Sequence, residues 1–526
     1  MGRTLFSRPL TFSLCALILA FTSDLMAQDV VETVDAFDVW EIRVGGNSVL
    51  DARTIERAVY PFLGPARSVE DMQAAREAVA QAYREAGYNT ALVSLPEQTV
   101  EQGIVRITVV EGVLGRARVY DADYVSGRDV LQEMESLEPG RPIEFGALQD
   151  DLAAVNRRSP DRSVTPVIRA GRNPGEIDLD LRVEDKLPLH ASFDVNDRFT
   201  VDTAELRASA SLSYDNLFQE FHSLSLQYTT APERQEDSEV WALTYLWRFR
   251  ESPAVLALYA VDTSSDVFAA GDLNVLGDAR IYGFRYVRPM QSGTSLFHSF
   301  TLGADNKDFN EVIGDTLETP IHYTHLVANY NFGWNFERYR SSYDFGLGLG
   351  VRALGNDVQE FEDKRFNAKP NYYYLRLGTE QLIRAWKGMG LYARIGGQLS
   401  PEPLIANEQI AVGGATTVRG YLEAERLADY GGFGSLEIRS PNVGPRVGSW
   451  IDNLYFLAFY DAATLGINQA LPGQPSRFDL SSTGIGLRFM TKHGVLAAVD
   501  YAHPLQDSTN VQAGDERFHF QLKWNF

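Results

Sequence analysis

Residues after Pro188 follow a period of two, in which apolar and polar side chains alternate along each segment. Successive side chains of a strand point to opposite faces, so each segment has one apolar and one polar face. In a soluble sandwich the apolar face would meet a second sheet, whereas in a membrane barrel it would meet lipid. Alternation alone leaves both architectures open. The first two segments carry apolar residues at these positions: Leu189, Ala191, Phe193 and Val195, then Leu206, Ala208, Ala210, Leu212 and Tyr214.

The number of strands favours a barrel. The pattern predicts sixteen strands, and an even number brings both ends of a barrel to the same side of the membrane. They are placed near residues 190, 205, 221, 239, 254, 280, 296, 322, 342, 371, 389, 432, 454, 483, 494 and 516.

The connections between these strands alternate in length. Most of those after even strands are tight, and most of those after odd strands are long and polar. Short periplasmic turns and long external loops are typical of outer-membrane barrels. The connection at 442–453 and the short first loop around Asp202 are exceptions. The clearest tight cases are 250–253, 338–341 and 491–494, and the clearest long ones are 263–279, 305–320 and 354–370.

Before the strands, a period near 3.6 appears twice, each time followed by strand patterns. A capping box at 68–71 starts the first predicted helix, which Gly87 ends, and strands follow at 91–95 and 104–110. The second helix carries Phe145, Leu148, Leu152 and Val155 on one face, between a strand at 116–120 and a hairpin at 164–183. We therefore predict two tandem α+β domains, at 34–112 and 113–187, before a barrel at 188–526.

The first residues are typical of a secretory signal peptide. Arg3 and Arg8 precede an apolar run at 10–21, and the small residue Ala27 suggests cleavage after it, giving a signal at 1–27. The alternative is a membrane anchor, but the run is shorter than the roughly 20 residues that a bilayer requires. The single cysteine, Cys15, would leave with the signal, which excludes disulfides and thiol chemistry in the mature chain.

Composition and charge restrict the function further. The chain holds 24 Tyr, 29 Phe, 7 Trp and 43 Gly, a mixture suited to strands with aromatic girdles. Its net charge of -22 has the wrong sign for binding nucleic acid, so no nucleic-acid partner is expected.

The last strand presents aromatic residues on one face up to the terminus itself. Phe518, Phe520, Leu522, Trp524 and Phe526 share that face, and polar residues occupy the other. A terminal aromatic in this position resembles the signal by which outer-membrane barrels are recognised for insertion, which would assign that role to Trp524 and Phe526. The alternative is the last strand of a soluble sheet.

The longest predicted loop, at about 400–431, contains Val418, Arg419, Gly420 and Tyr421 in succession, and a later strand contains Phe459-Tyr-Asp-Ala-Ala463. Here the sequence resembles the two-partner secretion transporters, which belong to the superfamily of outer-membrane assembly factors. The resemblance implies that the loop folds back into the barrel and that Arg419 pairs with Asp461 on the inner wall. In the usual family pattern a glycine stands where this chain has Ala463.

Short motifs in the two α+β domains extend the resemblance over nearly the whole mature chain. They resemble the polypeptide-transport-associated (POTRA) domains of such transporters. Members of the family often carry a plug helix before the first POTRA domain, and between Ala27 and Phe37 we expect no room for one. The motifs are 83–88, 95–98 and 110–112 in the first domain, and 156–160 and 174–178 in the second.

The resemblance implies a function, a location and partners. The chain would export an unfolded exoprotein of the haemolysin or adhesin type across the bacterial outer membrane. It would act as a monomer without a cofactor, binding the exoprotein through periplasmic domains. Outer-membrane lipid and the barrel assembly machinery would be its other partners. The alternatives are a factor that inserts other barrels and, less favoured, a passive porin, which would need no periplasmic domains.

Enzyme and metal motifs are missing from the sequence. It lacks the Gly-x-Ser-x-Gly elbow, the Walker loop and the His-Glu-x-x-His helix. His322 and His325 are three apart on a predicted strand, so they point to opposite faces and cannot share a metal. The glycines at 346, 348 and 350 imitate a dinucleotide fingerprint but lie within a strand pattern. We therefore predict no catalytic, metal or cofactor residues.

Overall fold

A computed structural model describes residues 36–526, apart from 251, 266–267, 271–272, 276–277, 293–294, 311 and 314–316. The predicted signal peptide at 1–27 lies outside the described residues. The chain divides into two compact units, of which the second comprises Arg118–Glu135, Asp151–Val167 and Asp180–Phe526. Among the described residues, no helix is both long and apolar enough to span a membrane.

The first α+β region packs two helices on a three-stranded sheet. The sheet has the order β2-β5-β4, in which β2 and β5 are parallel and β4 is antiparallel to β5. The predicted capping box is confirmed, since Ser68 and Asp71 exchange hydrogen bonds at the start of α2. The short helix α1 and strands β1 to β3 were not predicted. The elements are β1 (Phe37–Val39), β2 (Glu41–Gly45), α1 (Ala52–Val59), β3 (Gly64–Arg67), α2 (Val69–Glu85), β4 (Leu92–Ser94) and β5 (Ile104–Val110).

The second α+β region repeats this composition with a sheet in the order β6-β8-β7. The predicted strands and long helix are present, and the hairpin turns at Gly175, whose φ is +85°. A helix of six residues, α3, was missed because it is too short to show a helical period. The elements are β6 (Val113–Tyr120), α3 (Gly127–Gln132), α4 (Phe145–Arg158), β7 (Arg162–Ala170) and β8 (Glu176–Asp185).

The remaining chain forms the predicted closed barrel of sixteen strands, in which the last strand pairs with the first. Neighbouring strands are antiparallel throughout the ring. The strands are β9 (Leu189–Asn196), β10 (Arg207–Leu217), β11 (His222–Thr230), β12 (Ser238–Arg248), β13 (Val255–Ser265), β16 (Asp278–Ser292), β17 (Leu296–Asn310), β20 (Ile321–Asn335), β21 (Tyr339–Gly350), β22 (Tyr372–Arg384), β23 (Gly390–Leu399), β26 (Tyr430–Arg439), β27 (Ile451–Gly466), β28 (Arg477–Thr491), β29 (Val495–Pro504) and β30 (Arg517–Asn525).

The two faces of the barrel wall differ as the alternation predicts. Large apolar side chains such as Ile395, Ile485 and Phe518 stand exposed on the outer face. On the inner face, polar side chains including Ser192 and Asp194 line a cavity of 1070 Å³. An apolar exterior around a polar interior is the arrangement of a membrane barrel, so the first of the two architectures, the soluble sandwich, is excluded.

Tight turns join the even strands to the next strand, except between β26 and β27, where the short helix α6 (Gly444–Val447) lies. The long connections contain β14 (Phe268–Ala270), β15 (Leu273–Val275), β18 (Val312–Ile313), β19 (Leu317–Glu318), α5 (Val358–Lys364), β24 (Ile410–Val412) and β25 (Arg426–Ala428).

Two predicted loop starts were wrong. The loops expected from residues 263 and 305 begin later, because β13 continues to Ser265 and β17 to Asn310. In β17 the charged residues Asp305 and Lys307 are both buried in ion pairs, so their charges do not end the strand. A strand with one polar face can carry charges along its whole length. The prediction treated these polar residues as the start of the loop and therefore ended the strand too early.

The lipid face can be tested with arginine. Ile485 is 63% exposed on the outer face of β28. An arginine at this position would place a charge in lipid, which destabilises a barrel by ~2–4 kcal/mol at mid-membrane depth. We expect Ile485→Arg to reduce the folded fraction in urea titrations of the barrel in lipid vesicles. The control is Asn331→Arg, which lines the polar cavity and should fold normally. Equal destabilisation by both changes would contradict the assignment of faces.

Candidate functional site: the infolded loop and its charge pairs

The loop between β23 and β26 lies inside the barrel. Its hairpin, β24 paired with β25, buries apolar side chains that a solvent-exposed loop would not carry. Loop residues such as Gln409 and Thr417 line the same cavity as Ser192 and Asp194 of the barrel wall. The buried apolar residues that the loop contributes to this cluster are Ile410, Val412, Val418, Tyr421, Leu422 and Ala428. Leu404 and Ile405 of the same loop are buried in another cluster.

Arg419 and Asp461, the predicted pair, meet in this interior. Arg419 Nε donates to Asp461 Oδ2 at 2.8 Å, and Nη2 donates to Oδ1 at 2.9 Å. The main-chain N–H of Arg419 also donates to Oδ2, at 3.1 Å. Arg419 is 4% exposed and Asp461 0%. Two parallel bonds between a guanidinium and a carboxylate fix both the position and the orientation of the loop.

Asp461 faces the lumen because of its place in β27. Phe456 and Tyr460, at even positions of this strand, are exposed on the outer face, so the odd positions point inward. Phe459 is one of these, and its ring centroid lies 3.5 Å from Arg419 Cζ, a cation–π contact. Ala463, where the resemblance implies a glycine, packs against the apolar side of the loop. The methyl group is accommodated, so this departure leaves the strand motif intact.

The pair belongs to a larger network that the sequence did not predict. Arg419 Nη1 also lies 3.0 Å from Glu437 on β26 and 3.5 Å from Asp500 on β29. Arg439 and Arg488 pair in turn with Glu437 and Asp500, at 2.7 and 2.8 Å. Three guanidinium groups thus face three carboxylates, and their charges cancel. Cancellation matters here because an unpaired buried charge costs several kcal/mol.

The residues after Arg419 seat the loop against the wall. Gly420 has φ +93°, a left-handed conformation that favours glycine, and its N–H donates to His519 Nε2 at 2.9 Å. A Cβ at this position would lie 3.1 to 3.3 Å from Pro504 and Ala502. Tyr421 is fully buried, and its hydroxyl lies within hydrogen-bond distance of the main-chain carbonyls of Ser481 and Gln506, at 3.0 and 2.9 Å. The backbone conformation at position 420 therefore explains the glycine there, and the buried hydrogen bonds at position 421 explain the tyrosine.

The outer end of the loop is held by a second buried carboxylate, also missed from the sequence. Asp429 is 0% exposed and accepts two bonds from Arg365, at 2.5 and 2.7 Å. It also accepts from Gln409 and from the main-chain N–H groups of Leu404 and Asn468. A usable sign in the sequence was the two apolar triplets at 404–406 and 410–412, which are unusual for an external loop.

The helix α5 also turns inward. Its Phe361 is 1% exposed, and its ring centroid lies 5.6 Å from that of Tyr323 and 5.9 Å from that of Tyr372. The loop between β23 and β26 and the connection that contains α5 therefore both enter the barrel, whereas the sequence predicted only the first.

The aromatic residues of the last strand lie on its outer face. Trp524 and Phe526 are exposed, with ring centroids 3.9 Å apart. The main-chain N–H of Phe526 donates to the carbonyl of Ala191 on the first strand.

The POTRA-like motifs have structural roles. The Tyr83 hydroxyl donates to Glu111 at 2.9 Å, and the N–H groups of Ser48 and Val49 donate to the same carboxylate. Burial favours a higher pKa for Glu111, but these hydrogen bonds outweigh it and lower the pKa below its ordinary value. The motif residues thus tie the end of α2 to the loop after β2.

In the second region, Asn156 exchanges hydrogen bonds with the main chain of Val164 at 2.7 and 3.1 Å. Asp178 pairs with Arg116 at 2.8 Å.

The histidines show one grouping that the sequence did not suggest. His190 Nε2 lies 2.9 Å from Asp161 and 3.4 Å from Asp215, so three possible metal ligands come together. The imidazole is already paired with both carboxylates. His322 is exposed and His325 is buried beside Tyr372 and Tyr374, on the opposite face of β20 as predicted.

Comparison with known proteins supports the assignment made from this geometry. The family model described as "POTRA domain, ShlB-type" matches residues 37–112, and "Haemolysin secretion/activation protein ShlB/FhaC/HecB" matches residues 175–489. The heme/hemopexin transporter protein HuxB of Haemophilus influenzae is 21% identical over 470 residues, 86% of this chain and 80% of HuxB. The outer membrane transporter CdiB of Dickeya dadantii is 21% identical over 76% of this chain and 71% of CdiB.

Solved structures share the fold. CdiB from Escherichia coli superimposes with a TM-score of 0.61 at 17% identity, covering 96% of this chain and 93% of that one. BamA from Haemophilus ducreyi lacking POTRA domains 1-3 gives 0.59 at 14% identity, over 93% and 100%.

The fold and the infolded loop together define an outer-membrane β-barrel transporter with periplasmic POTRA domains. Within that class, the chain belongs to the haemolysin secretion/activation family ShlB/FhaC/HecB, the outer-membrane transporters of two-partner secretion. Its function is to carry a secreted partner protein across the outer membrane.

The conformation of Gly420 gives a direct test of how the loop is seated. Gly420→Ala forces a side chain into a left-handed conformation and a tight contact, so we expect a loss of about 1–3 kcal/mol in the free energy of unfolding. The control is Gly434→Ala, since a Cβ there meets only ordinary contacts of 3.6 Å or more and the φ is unrestricted. Urea unfolding in lipid vesicles would measure both. Unchanged stability of the Gly420 variant would show that the loop is not held in this position.

Proposed function

We propose that the partner crosses the barrel lumen as an unfolded chain, and that the infolded loop sets the conducting shape of the bore. The observation that carries this proposal is the bidentate pairing of Arg419 with Asp461 at almost zero exposure. The loop and the remaining polar cavity of 1070 Å³ share the lumen, so a chain passing through must displace the loop or thread beside it.

Polar contacts suit such a displacement better than apolar ones. When Arg419 leaves Asp461, water and the polar walls of the lumen can solvate both groups, whereas a dry apolar contact has no substitute. Glu437 and Asp500 stand within 3.5 Å of Arg419 and offer alternative partners to a guanidinium that moves. We infer that the network allows the loop to shift in steps without exposing a bare charge.

The partner is proposed to bind the periplasmic domains, at 34–112 and 113–187, before it enters the barrel at 188–526. Each domain contains a three-stranded sheet, and strands such as β4 and β7 stand at the ends of the strand order, where each has a neighbouring strand on one side. An extended polypeptide adds to such an edge through main-chain hydrogen bonds. Val167 and Ile168 of β7 are exposed and available to pack against its side chains.

The other proposed partners follow from the surface. The exposed apolar belt contacts outer-membrane lipid, and Trp524 and Phe526 form the signal read by the barrel assembly machinery during insertion. One chain closes one barrel. We propose that this chain works as a monomer. Folding of the partner outside the cell supplies the direction of transport.

A factor that inserts other barrels is the second candidate, since BamA shares the fold. At 14% identity that likeness concerns the fold alone, and the family match favours secretion. A large exoprotein gene beside the gene for this chain would separate the two functions.

Arg419→Ala tests the role of the loop in export. Freed from Asp461, the loop loses its fixed position, and we expect secretion of the exoprotein encoded beside the transporter to fall about tenfold, the effect of roughly 1.4 kcal/mol on a two-state equilibrium. Heat-modifiable mobility of the outer-membrane barrel should show that barrel levels persist. The matched control is Arg426→Ala in the same loop, which stacks on Phe478 and should secrete normally. Equal secretion by both variants would remove the Arg419 pair from the mechanism.

A further inference from the structure

Besides Asp429, the infolded loop has another buried carboxylate, Glu408, which lies in its first arm on a short 3-10 turn (Ala406–Glu408). It is 1% exposed, and its carboxylate accepts from Lys307 Nζ at 2.7 Å and from the hydroxyls of Tyr323 and Tyr374 at 2.6 and 3.1 Å. His325 Nδ1 is 3.8 Å away. Every polar contact here joins the loop to the barrel wall.

These wall residues lie in a different sector of the barrel from Asp461. Lys307, Tyr323 and Tyr374 stand on β17, β20 and β22, the seventh, eighth and tenth strands of the ring. Asp461 belongs to β27, the thirteenth. The loop is therefore held by charge pairs at two separated points of the wall, with the sign of the loop charge reversed between them: a guanidinium at one and a carboxylate at the other.

The main chain of the two arms is joined as well. The amide of Gln398, fully buried on β23, donates to the carbonyls of Glu408 at 3.1 Å and Asp429 at 3.2 Å. A shift of Glu408 would therefore pull on the arm that ends at Asp429. The Glu408 contact bears on the whole loop.

The energetics make this contact selective for one loop position. A carboxylate and an ammonium removed from water are tolerated only when each meets the other and the remaining acceptor sites are filled. Lys307 is 5% exposed, so withdrawal of Glu408 leaves a buried cation beside the ring of Tyr323, 5.6 Å away, and the carboxylate of Asp305. A small displacement of the loop thus meets a steep penalty until water or a passing chain can solvate both groups.

We propose that Glu408 is a second positioning residue of the infolded loop, which through Lys307 holds the loop in its resting position inside the bore. The inference rests on the proposed function, in which the loop must move for the partner to pass. Displacing the loop then requires both contacts to open, the one at Asp461 and the one at Lys307. Removing Glu408 lowers the barrier to loop movement while Arg419 and its network remain intact.

Ion current through the purified full chain in planar bilayers, with potassium chloride as the probe, tests this inference. We expect Glu408→Gln to raise the frequency of openings by about tenfold or more, because the ion pair is lost while the side chain keeps its size. The matched control is Glu402→Gln in the same loop, whose carboxylate is partly exposed and pairs with Lys369 of the connection before β22. It should conduct like the unchanged chain. If the Glu408→Gln variant opened no more often than the Glu402→Gln control, the inference would be overturned.

Lys307→Met supplies the test from the wall side. It should open as often as Glu408→Gln, and the double variant should open no more often than either, because the two changes remove one contact. Independent, multiplicative effects would contradict a shared anchor. Heat-modifiable mobility shows whether each barrel is folded, and only folded variants are compared.

Secretion by the unchanged chain separates the two proposals. If the unchanged chain exports the neighbouring exoprotein but the Glu408→Gln variant opens no more often than the unchanged chain, only the proposed role of Glu408 fails. If the unchanged chain exports nothing, the proposed function fails whatever the currents show.

Discussion

A main chain in lipid has no water to bond with, and every other feature of the barrel depends on that constraint. Each N–H and C=O group must find a partner within the sheet, so the sheet closes on itself and β30 pairs with β9. A ring of sixteen strands encloses more space than its own side chains fill. The infolded loop and α5 occupy part of that space, and a polar cavity remains. Closure therefore creates the room in which transport takes place.

Filling a polar bore requires buried charges that are matched. Arg419 answers this requirement with Asp461, Glu437 and Asp500, and Asp429 does so with Arg365. Such pairs add little net stability against apolar packing, but they strongly penalise the removal of one partner. The result is a loop with a defined resting position that still rests on solvent-exchangeable contacts. A permanent plug would not need such exchangeable contacts, whereas a loop that must move aside for a passing chain does.

Much of this could be predicted from the sequence, for identifiable reasons. The strands were found because lipid outside and water inside impose a strict period of two, and α2 was found through its capping box. Arg419 and Asp461 came from a family motif. The partners on other strands, such as Glu437 and Asp500, could not be predicted, because pairing across a barrel depends on register between distant segments. The inward turn of α5 was missed for the same reason, since Phe361 is one of a few apolar residues scattered through a largely polar loop.

The account depends most on the loop being pinned inside the lumen by opposite charges, and a double-mutant cycle measures that directly. Unfolding free energies of Arg419→Ala, Asp461→Ala and the double variant, obtained by urea titration in lipid vesicles, give the coupling between the two side chains. Two buried groups joined by two hydrogen bonds should show a coupling of roughly 2–3 kcal/mol. Additive losses, within about 0.5 kcal/mol, would mean that the two side chains do not interact in the membrane.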